Sequence, residues 1–349
     1  MAPIRVNNKG KANVVDSSDR SSDRSTIRSS NQGEDHGSVM SADRLSPLAT
    51  PSATREVLER HGLYTKYALG QNFLVNDDII KKIVELGDVQ PSDHVLEVGP
   101  GIGTLTAALL KCAGHVTSIE MDYDLPAVLT DTLEQWEDRF TLLRMNALDV
   151  TVNDIEQLDD APIGEVSAEA MPNKLVSNLP YAVAATVTLD YLQKFDSIDS
   201  ATIMVQREVA ERMMAKPGTK TYGAYTVKLS MYAKPVGHFS VSSGNFFPPP
   251  RVESTVIRLD RQIAYDKDGR ELTSDELKAV CMMADAAFAT RRKTLSNSCK
   301  THFSGRGDIV ERLPQIFEQA NVDPRRRGET LDQREFIQLG LALHRSEIA

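Results

Sequence analysis

Four consecutive residues, Asn178-Leu179-Pro180-Tyr181, combine an amide side chain, a backbone held extended ahead of a proline, and an aromatic ring. Such a set can accept hydrogen bonds from an exocyclic amine and stack on a flat base. It follows Lys174-Leu175-Val176-Ser177, an apolar run that reads as a buried strand. The tetrapeptide therefore falls at that strand's carboxyl end, the edge where open α/β sheets place their chemistry. Asn and Pro are equally turn residues, and Tyr often ends a strand half-buried. Taken alone, the four residues do not separate a turn from an amine-binding site.

A second constellation is Glu97-Val98-Gly99-Pro100-Gly101-Ile102-Gly103, between an apolar run and a helical stretch. Glycines there let the backbone approach a ligand closely, and the following helix start favours polar or anionic groups. The spacing Gly-x-Gly-x-Gly is one residue short of the dinucleotide fingerprint, which disfavours a pyrophosphate turn. With an acid two positions ahead of the first glycine, it resembles the first motif of S-adenosylmethionine-dependent methyltransferases. A glycine turn with no ligand stays open. Glu120 ends the next apolar run, about twenty residues beyond Gly99, an offset at which an acid hydrogen-bonds ribose hydroxyls in Rossmann-like sites. Two further stretches are weaker. Gly70-Gln71-Asn72-Phe73-Leu74 reads as a loop with an apolar anchor. Asn245-Phe246-Phe247-Pro248-Pro249-Pro250-Arg251-Val252 reads first as a stiff structural loop, although such a loop also suits holding an aromatic ring at a sheet edge.

These residues need a scaffold, and the apolar periodicity supplies one. Strands are expected at 95–98, 116–119, 140–145, 175–176 and 201–205, separated by helical stretches at 104–110, 125–133 and 182–195. Asn76-Asp77-Asp78 caps an earlier helix carrying Ile79, Ile80, Ile83 and Val84. The alternation predicts βαβ units and a mostly parallel sheet with helices on both faces. Residues 159–172, with Pro, Gly and Glu, read as a surface insertion. After about residue 265 the strand signal ends, and 273–304 and 307–345 read as helices broken at Gly305 and at Pro324–Gly328. The expected organisation is a disordered extension (1–50), a Rossmann-like α/β domain (51–265) and a smaller α-helical domain (266–349).

Composition narrows the class. The chain has 349 residues, 41% hydrophobic and 26% charged, ordinary for a soluble globular protein. Residues 1–50 are polar and lack periodic apolar positions, so they cannot offset their chain entropy by burial. Asp16, Asp19, Asp23, Glu34 and Asp35 argue against an organellar transit peptide, and no apolar run is long enough to span a membrane. Cys112, Cys281 and Cys299 form no metal-ligand pattern and are expected to be reduced and buried in a cytoplasmic protein. The net charge of −9 is not that of a typical nucleic-acid binder, yet Arg291-Arg292-Lys293, Lys300, Arg306 and Arg325-Arg326-Arg327 cluster locally. By charge alone these are either a solvated helix face or a patch for RNA.

Six stretches in order together resemble the ribosomal RNA adenine dimethyltransferase family. They are Leu69–Leu74, Leu96–Gly103, Ser177–Tyr181, Gln206–Ala210 with Tyr222-Gly223, Phe247–Ser254 and Ala287–Leu295. The resemblance implies a class I methyltransferase sheet, S-adenosylmethionine as cofactor and no metal. It implies dimethylation of N6 on two adjacent adenosines in the 3′-terminal hairpin loop of 16S rRNA, within an immature small ribosomal subunit, by a cytoplasmic monomer. It further implies that Asn72, Leu74, Gly99, Gly101, Glu120, Asn146 and Asn178 surround the donor. Asn178 and the Leu179 carbonyl, with Pro180, would hold the target amine, Tyr181 and Phe246 would stack on the adenine, and Arg291, Arg292 and Lys293 would contact RNA. The family usually has Asp where this chain has Asn146, and commonly Asn where it has Ala182. The alternatives are a macrolide-resistance methylase acting on large-subunit RNA and a noncatalytic assembly or transcription factor on the same fold. Leu179 and the Pro248-Pro249-Pro250 run favour the small-subunit enzyme, and DNA adenine methylases carry Asp in place of Asn178.

Overall fold

Each apolar run noted above forms a strand, and the helices between them return the chain to one edge of a sheet. The elements are α1 (Pro51–Arg60), β1 (Phe73–Leu74), α2 (Asp77–Gly87), β2 (His94–Val98), α3 (Thr104–Cys112), β3 (His115–Glu120), α4 (Leu125–Thr132), β4 (Phe140–Arg144), α5 (Val152–Glu156), β5 (Lys174–Asn178), α6 (Ala184–Lys194), β6 (Ser200–Gln206), α7 (Arg207–Met213), α8 (Ala224–Ser230), β7 (Ala233–Val241), β8 (Phe246–Phe247) and β9 (Ser254–Arg261). Four helices follow: α9 (Ser274–Phe288), α10 (Leu295–His302), α11 (Gly307–Gln319) and α12 (Gln333–Ile348). The computed structural model describes residues 44–64, 71–157 and 171–348. Most of the expected amino-terminal extension, Leu69-Gly70 and nearly all of the expected insertion at 159–172 lie outside the described residues.

Seven strands make one sheet in the order β4-β3-β2-β5-β6-β9-β7. The strands β2 to β6 pair in parallel, and β9 and β7 close one side antiparallel. The order reverses between β2 and β5, and the helices that follow these two strands pack on opposite faces. Leu105, Leu109 and Leu110 of α3 join Ile80, Ile83 and Val84 of α2 on one face. Val187, Tyr191 and Leu192 of α6 pack with Leu175 and Ile203 on the other.

Three expectations are corrected. Residues 44–50 do not belong to a disordered extension: the Leu45 and Ser46 amides donate to the Asp77 carboxylate at 3.1 and 2.8 Å, and Leu48 and Ala49 are buried. Thr50 then caps α1 through its side chain. The stretch 273–304 is not one helix. The Ser298 hydroxyl donates to Ala286 O and accepts from Thr290 N–H, and Thr294 caps α10, so Arg291-Arg292-Lys293 occupies a turn and not a helix face. Of the cysteines, none is disulfide-bonded; Cys299 is buried, whereas Cys112 and Cys281 are only half-buried.

The helical region has its own core around Val280, Leu313 and Phe336, which takes in Tyr222, Val227 and Met231 from ahead of residue 265. No helix among the described residues is long and apolar enough to cross a membrane. Within this core α9 and α12 touch at Gly340, where an added Cβ would lie 2.4 to 2.6 Å from Val280 Cγ2, Cα and N. Alanine would gain about 1 kcal/mol of helix propensity. The obstruction is backbone, however, and separating packed helices costs roughly 1–3 kcal/mol or more. Gly340→Ala is expected to destabilise the protein, read as a lower urea midpoint at unchanged m-value; an unchanged or raised midpoint contradicts this packing.

Candidate active site

The strand reversal opens a cleft of about 250 Å³ at the carboxyl edge, walled by residues from the ends of β1, β2, β3 and β5 and from the 145–147 loop. Backbone pairing between β2 and β5 joins Val95 to Lys174 and Leu96 to Leu175. Beyond it Ser177 takes over: its hydroxyl accepts from Val98 N–H at 3.2 Å and donates to Val98 O at 2.6 Å. Gly99 and Asn178 stand on the two lips immediately past this bridge.

The glycine turn follows β2. Gly99, Gly101 and Gly103 have φ of +73°, +60° and +85°, the left-handed region that side-chain-bearing residues avoid. At Gly101 a Cβ would also come within 3.0 Å of the Phe73 ring. The turn is fastened to the sheet by Gly99 N–H donating to Ile119 O at 2.9 Å. Glu97, the acid ahead of the turn, does not face the cleft. It is 1% exposed, and its Oε2 accepts from Thr106 and Ser118 hydroxyls at 2.7 and 2.8 Å. Burial without a counter-charge pushes its carboxyl up to about 7, against the pull of these two hydroxyls.

Glu120 ends β3 within the cleft, nearly buried, with its Oε1 accepting from Asp122 N–H at 2.8 Å. Burial raises its pKa, and backbone amides of Asp122, Met121 and Gly101 oppose the rise. Asn146 lines the same cleft and accepts from Leu148 N–H at 3.1 Å, which fixes its carbonyl end. On the opposite lip the Asn178 amide donates from Nδ2 to Asn72 O at 3.4 Å. Oδ1 is thereby left as the acceptor end. Leu179 is buried, with its N–H on Met204 O, and Pro180 packs toward Gly99. Tyr181 lines the cleft, half-buried, with its hydroxyl 2.5 Å from Ser254 Oγ.

Of the residues expected from sequence, Asn72, Leu74, Gly99, Gly101, Glu120, Asn146, Asn178, Leu179, Pro180 and Tyr181 share this one cleft. Phe246 does not. It is 3% exposed and packed in the core with Leu74, Ile80 and Ile83, so its ring presents no face to the cleft. The cause is an antiparallel pairing of β1 with β8, Phe73 opposite Phe247 and Leu74 opposite Phe246, which makes Phe246 the floor beneath the Leu74 wall. Arg291, Arg292 and Lys293 lie away from the cleft walls, and Arg291 is spanned by Glu329 at 3.1 Å. Sequence reasoning missed Gln71, Met121 and Ser177 as site residues. Gln71 donates to Asp122 at 2.8 Å, and Met121 is a cleft-wall methionine 53% exposed. Met121 had a signal, its place directly after Glu120; Ser177 had none beyond ending the apolar run.

The cleft suits a nucleoside-like ligand with a polar tail. It offers a glycine cradle that a Cβ would fill, a buried carboxylate for hydroxyls, and apolar flanks from Met121 and Met145. Thr104 Oγ1, on the wall at the start of α3, is buried without a hydrogen-bond partner. Among the described residues no group of His, Cys, Asp or Glu is arranged to hold a metal. Sheet order, glycine turn and strand-end acid together define a Rossmann-like methyltransferase.

The model of the family described as ribosomal RNA adenine dimethylase matches residues 63–339, and the chain belongs to that family. It is 37% identical over 296 residues to the ribosomal RNA small subunit methyltransferase A of Geobacillus kaustophilus, covering 85% of this chain and 97% of the relative. A solved dimethyladenosine transferase from Plasmodium falciparum superposes with a TM-score of 0.63 at 21% identity, over 79% of this chain and 98% of that one. The 23S rRNA methyltransferase ErmE gives 0.54 at 22% identity, over 78% and 99%. These two structural likenesses show the shared fold. The chain is accordingly an rRNA adenine dimethyltransferase.

The Glu97 geometry generates a pH dependence. Its carboxyl binds a proton more tightly folded than unfolded, so its contribution to stability is fully present below the unfolded value and fades as pH rises through about 7. Glu97→Gln is expected to flatten that part of the stability profile between about pH 5 and 8, followed by urea unfolding. An unchanged slope would show that Glu97 is not the group responsible.

Proposed function

We propose that this enzyme uses S-adenosylmethionine to dimethylate N6 of two adjacent adenosines in the 3′-terminal hairpin loop of 16S rRNA, in an immature small ribosomal subunit. It does so in the cytoplasm as a monomer, with residues 51–265 as the catalytic part and 266–349 as the part that contacts RNA. The observation that carries the reading is the Asn178 amide, oriented by Asn72 O, across a crevice from the glycine turn and Glu120. The small-subunit target is supported by the name and 37% identity of the Geobacillus relative. Leu179 and the triple proline point the same way.

Asn72, Leu74, Gly99, Gly101 and Glu120 hold the donor, with Glu120 accepting from ribose hydroxyls and Asn146 from the donor's adenine amine. When bound, the donor supplies an electrophilic methyl group on its sulfonium. The target N6 is a poor nucleophile because its lone pair is delocalised into the ring. Asn178 Oδ1 and the Leu179 carbonyl accept its two hydrogens, which favours a pyramidal nitrogen with the lone pair free. The acceleration comes from positioning and preorganised dipoles. The Tyr181 ring stacks on the extruded base, worth roughly 1–3 kcal/mol. Each methyl transferred is accompanied by loss of one N6 proton to solvent, so the second transfer meets a nitrogen with one hydrogen fewer and one of the two acceptors is dispensable in that round.

Asn178→Ala is expected to abolish tritium-methyl transfer to unmodified small subunits while donor affinity by calorimetry stays measurable; full activity would sink the assignment. Mapping the modified nucleotide distinguishes targets, since a mark on large-subunit RNA would transfer the enzyme to the resistance type. A carboxylate at position 146 would keep the Leu148 N–H bond and strengthen the bond to the adenine amine. Asn146→Asp is therefore expected to tighten donor binding several-fold, and weaker binding would exclude this contact.

A further inference from the structure

We propose that Ser254 is a positioning residue for the Tyr181 ring, setting the plane on which the target base stacks before the substrate arrives. The inference rests on the clamp role given to Tyr181 above. The two hydroxyl oxygens are 2.5 Å apart. Ser254 is fully buried while Tyr181 is only half-buried, so the serine is the fixed end of the pair.

Ser254 is fixed because it opens β9, where its backbone faces Gln206 of β6 on one side and Val241 of β7 on the other. Its neighbour Glu253 adds two anchors: its carbonyl accepts from Arg207 N–H at 3.0 Å, and its carboxylate pairs with the Arg207 guanidinium at 2.6 Å. Because β9 runs antiparallel, its first residue lies at the edge where β5 and β6 finish, within reach of a side chain three residues beyond Asn178. Ser254 does not line the cleft. It meets Tyr181 at the phenol oxygen and acts through it. A tyrosine on a turn has two side-chain torsions, and a tether at its tip holds both, so less ordering remains when the base binds.

The test uses the full chain, unmodified small subunits and four proteins: the parent, Ser254→Ala, Tyr181→Phe and the double variant. Each single variant keeps the ring and loses the same hydrogen bond. Each is expected to lower kcat/KM for subunits by roughly three- to tenfold, the range of one hydrogen bond. Donor Kd should stay within about twofold of the parent, and the double variant should be no worse than either single variant. Three results would overturn the proposal: a Ser254→Ala enzyme equal to the parent, effects that multiply in the double variant, or a matching loss of donor affinity that marks Ser254 as general support. Methylation by the parent in the same assay keeps this outcome distinct from failure of the proposed function itself.

Discussion

The site depends on one hydroxyl. At the strand reversal, β2 and β5 must part, because their helices pack on opposite faces, and parting leaves the Val98 N–H and C=O without a ladder partner on that side. Buried backbone groups left unpaired cost about 1–3 kcal/mol each. Ser177 Oγ satisfies both at once, so the sheet stays closed up to Val98 and opens directly after it. Gly99 and Asn178 owe their facing positions to that sudden opening. An aliphatic residue at 177 would leave both groups of Val98 unsatisfied at the lip of the cleft.

The two strand-end acids show how position assigns different work to one residue type. Glu97 and Glu120 are both buried enough to resist ionisation. Glu97 spends its acceptor capacity on Thr106 of α3 and Ser118 of β3, binding helix, turn and sheet into one body. Glu120 faces the cleft and is supported mainly by backbone amides, including that of Gly101. A buried carboxylate is costly unless its lone pairs are met. Hydroxyl donors on a ligand lying in this cleft would meet them further, so the acid favours a diol there for the same reason that it resists ionisation in its absence.

Much of this was legible in the chain because it is local. Strand and helix runs follow from apolar period, and the glycine turn, Glu120 and the Asn178 tetrapeptide each sit at a strand end that the period itself locates. What was not legible depends on distant pairings. The β1–β8 ladder joins residues 73–74 to 246–247 and turns Phe246 into the core, although its sequence neighbourhood of aromatics and prolines suggested an exposed ring. The turn at 290–294 escaped because its cause is Ser298 reaching back to Ala286 and Thr290, a contact no periodicity announces. Tyr181 was visible as an aromatic, but the serine whose hydroxyl meets its own lies seventy-three positions away.

Charge was the least informative property of the sequence, and the structure explains why. By charge alone the arginine-rich segments are either a solvated face or a patch for RNA, and many of those cations are already paired. Arg291 is spanned by Glu329, Arg325 by Asp323 and Arg326 by Glu335. Phosphate contacts strengthen binding by releasing counterions, and a cation held by its own carboxylate contributes less to that release. These pairs reduce the free positive charge of those segments, in a chain whose net charge is −9. Under the proposed function, discrimination falls to the cleft, where the Asn178 amide, the Leu179 carbonyl and the Tyr181 ring are gathered at one strand end to meet a single unstacked base.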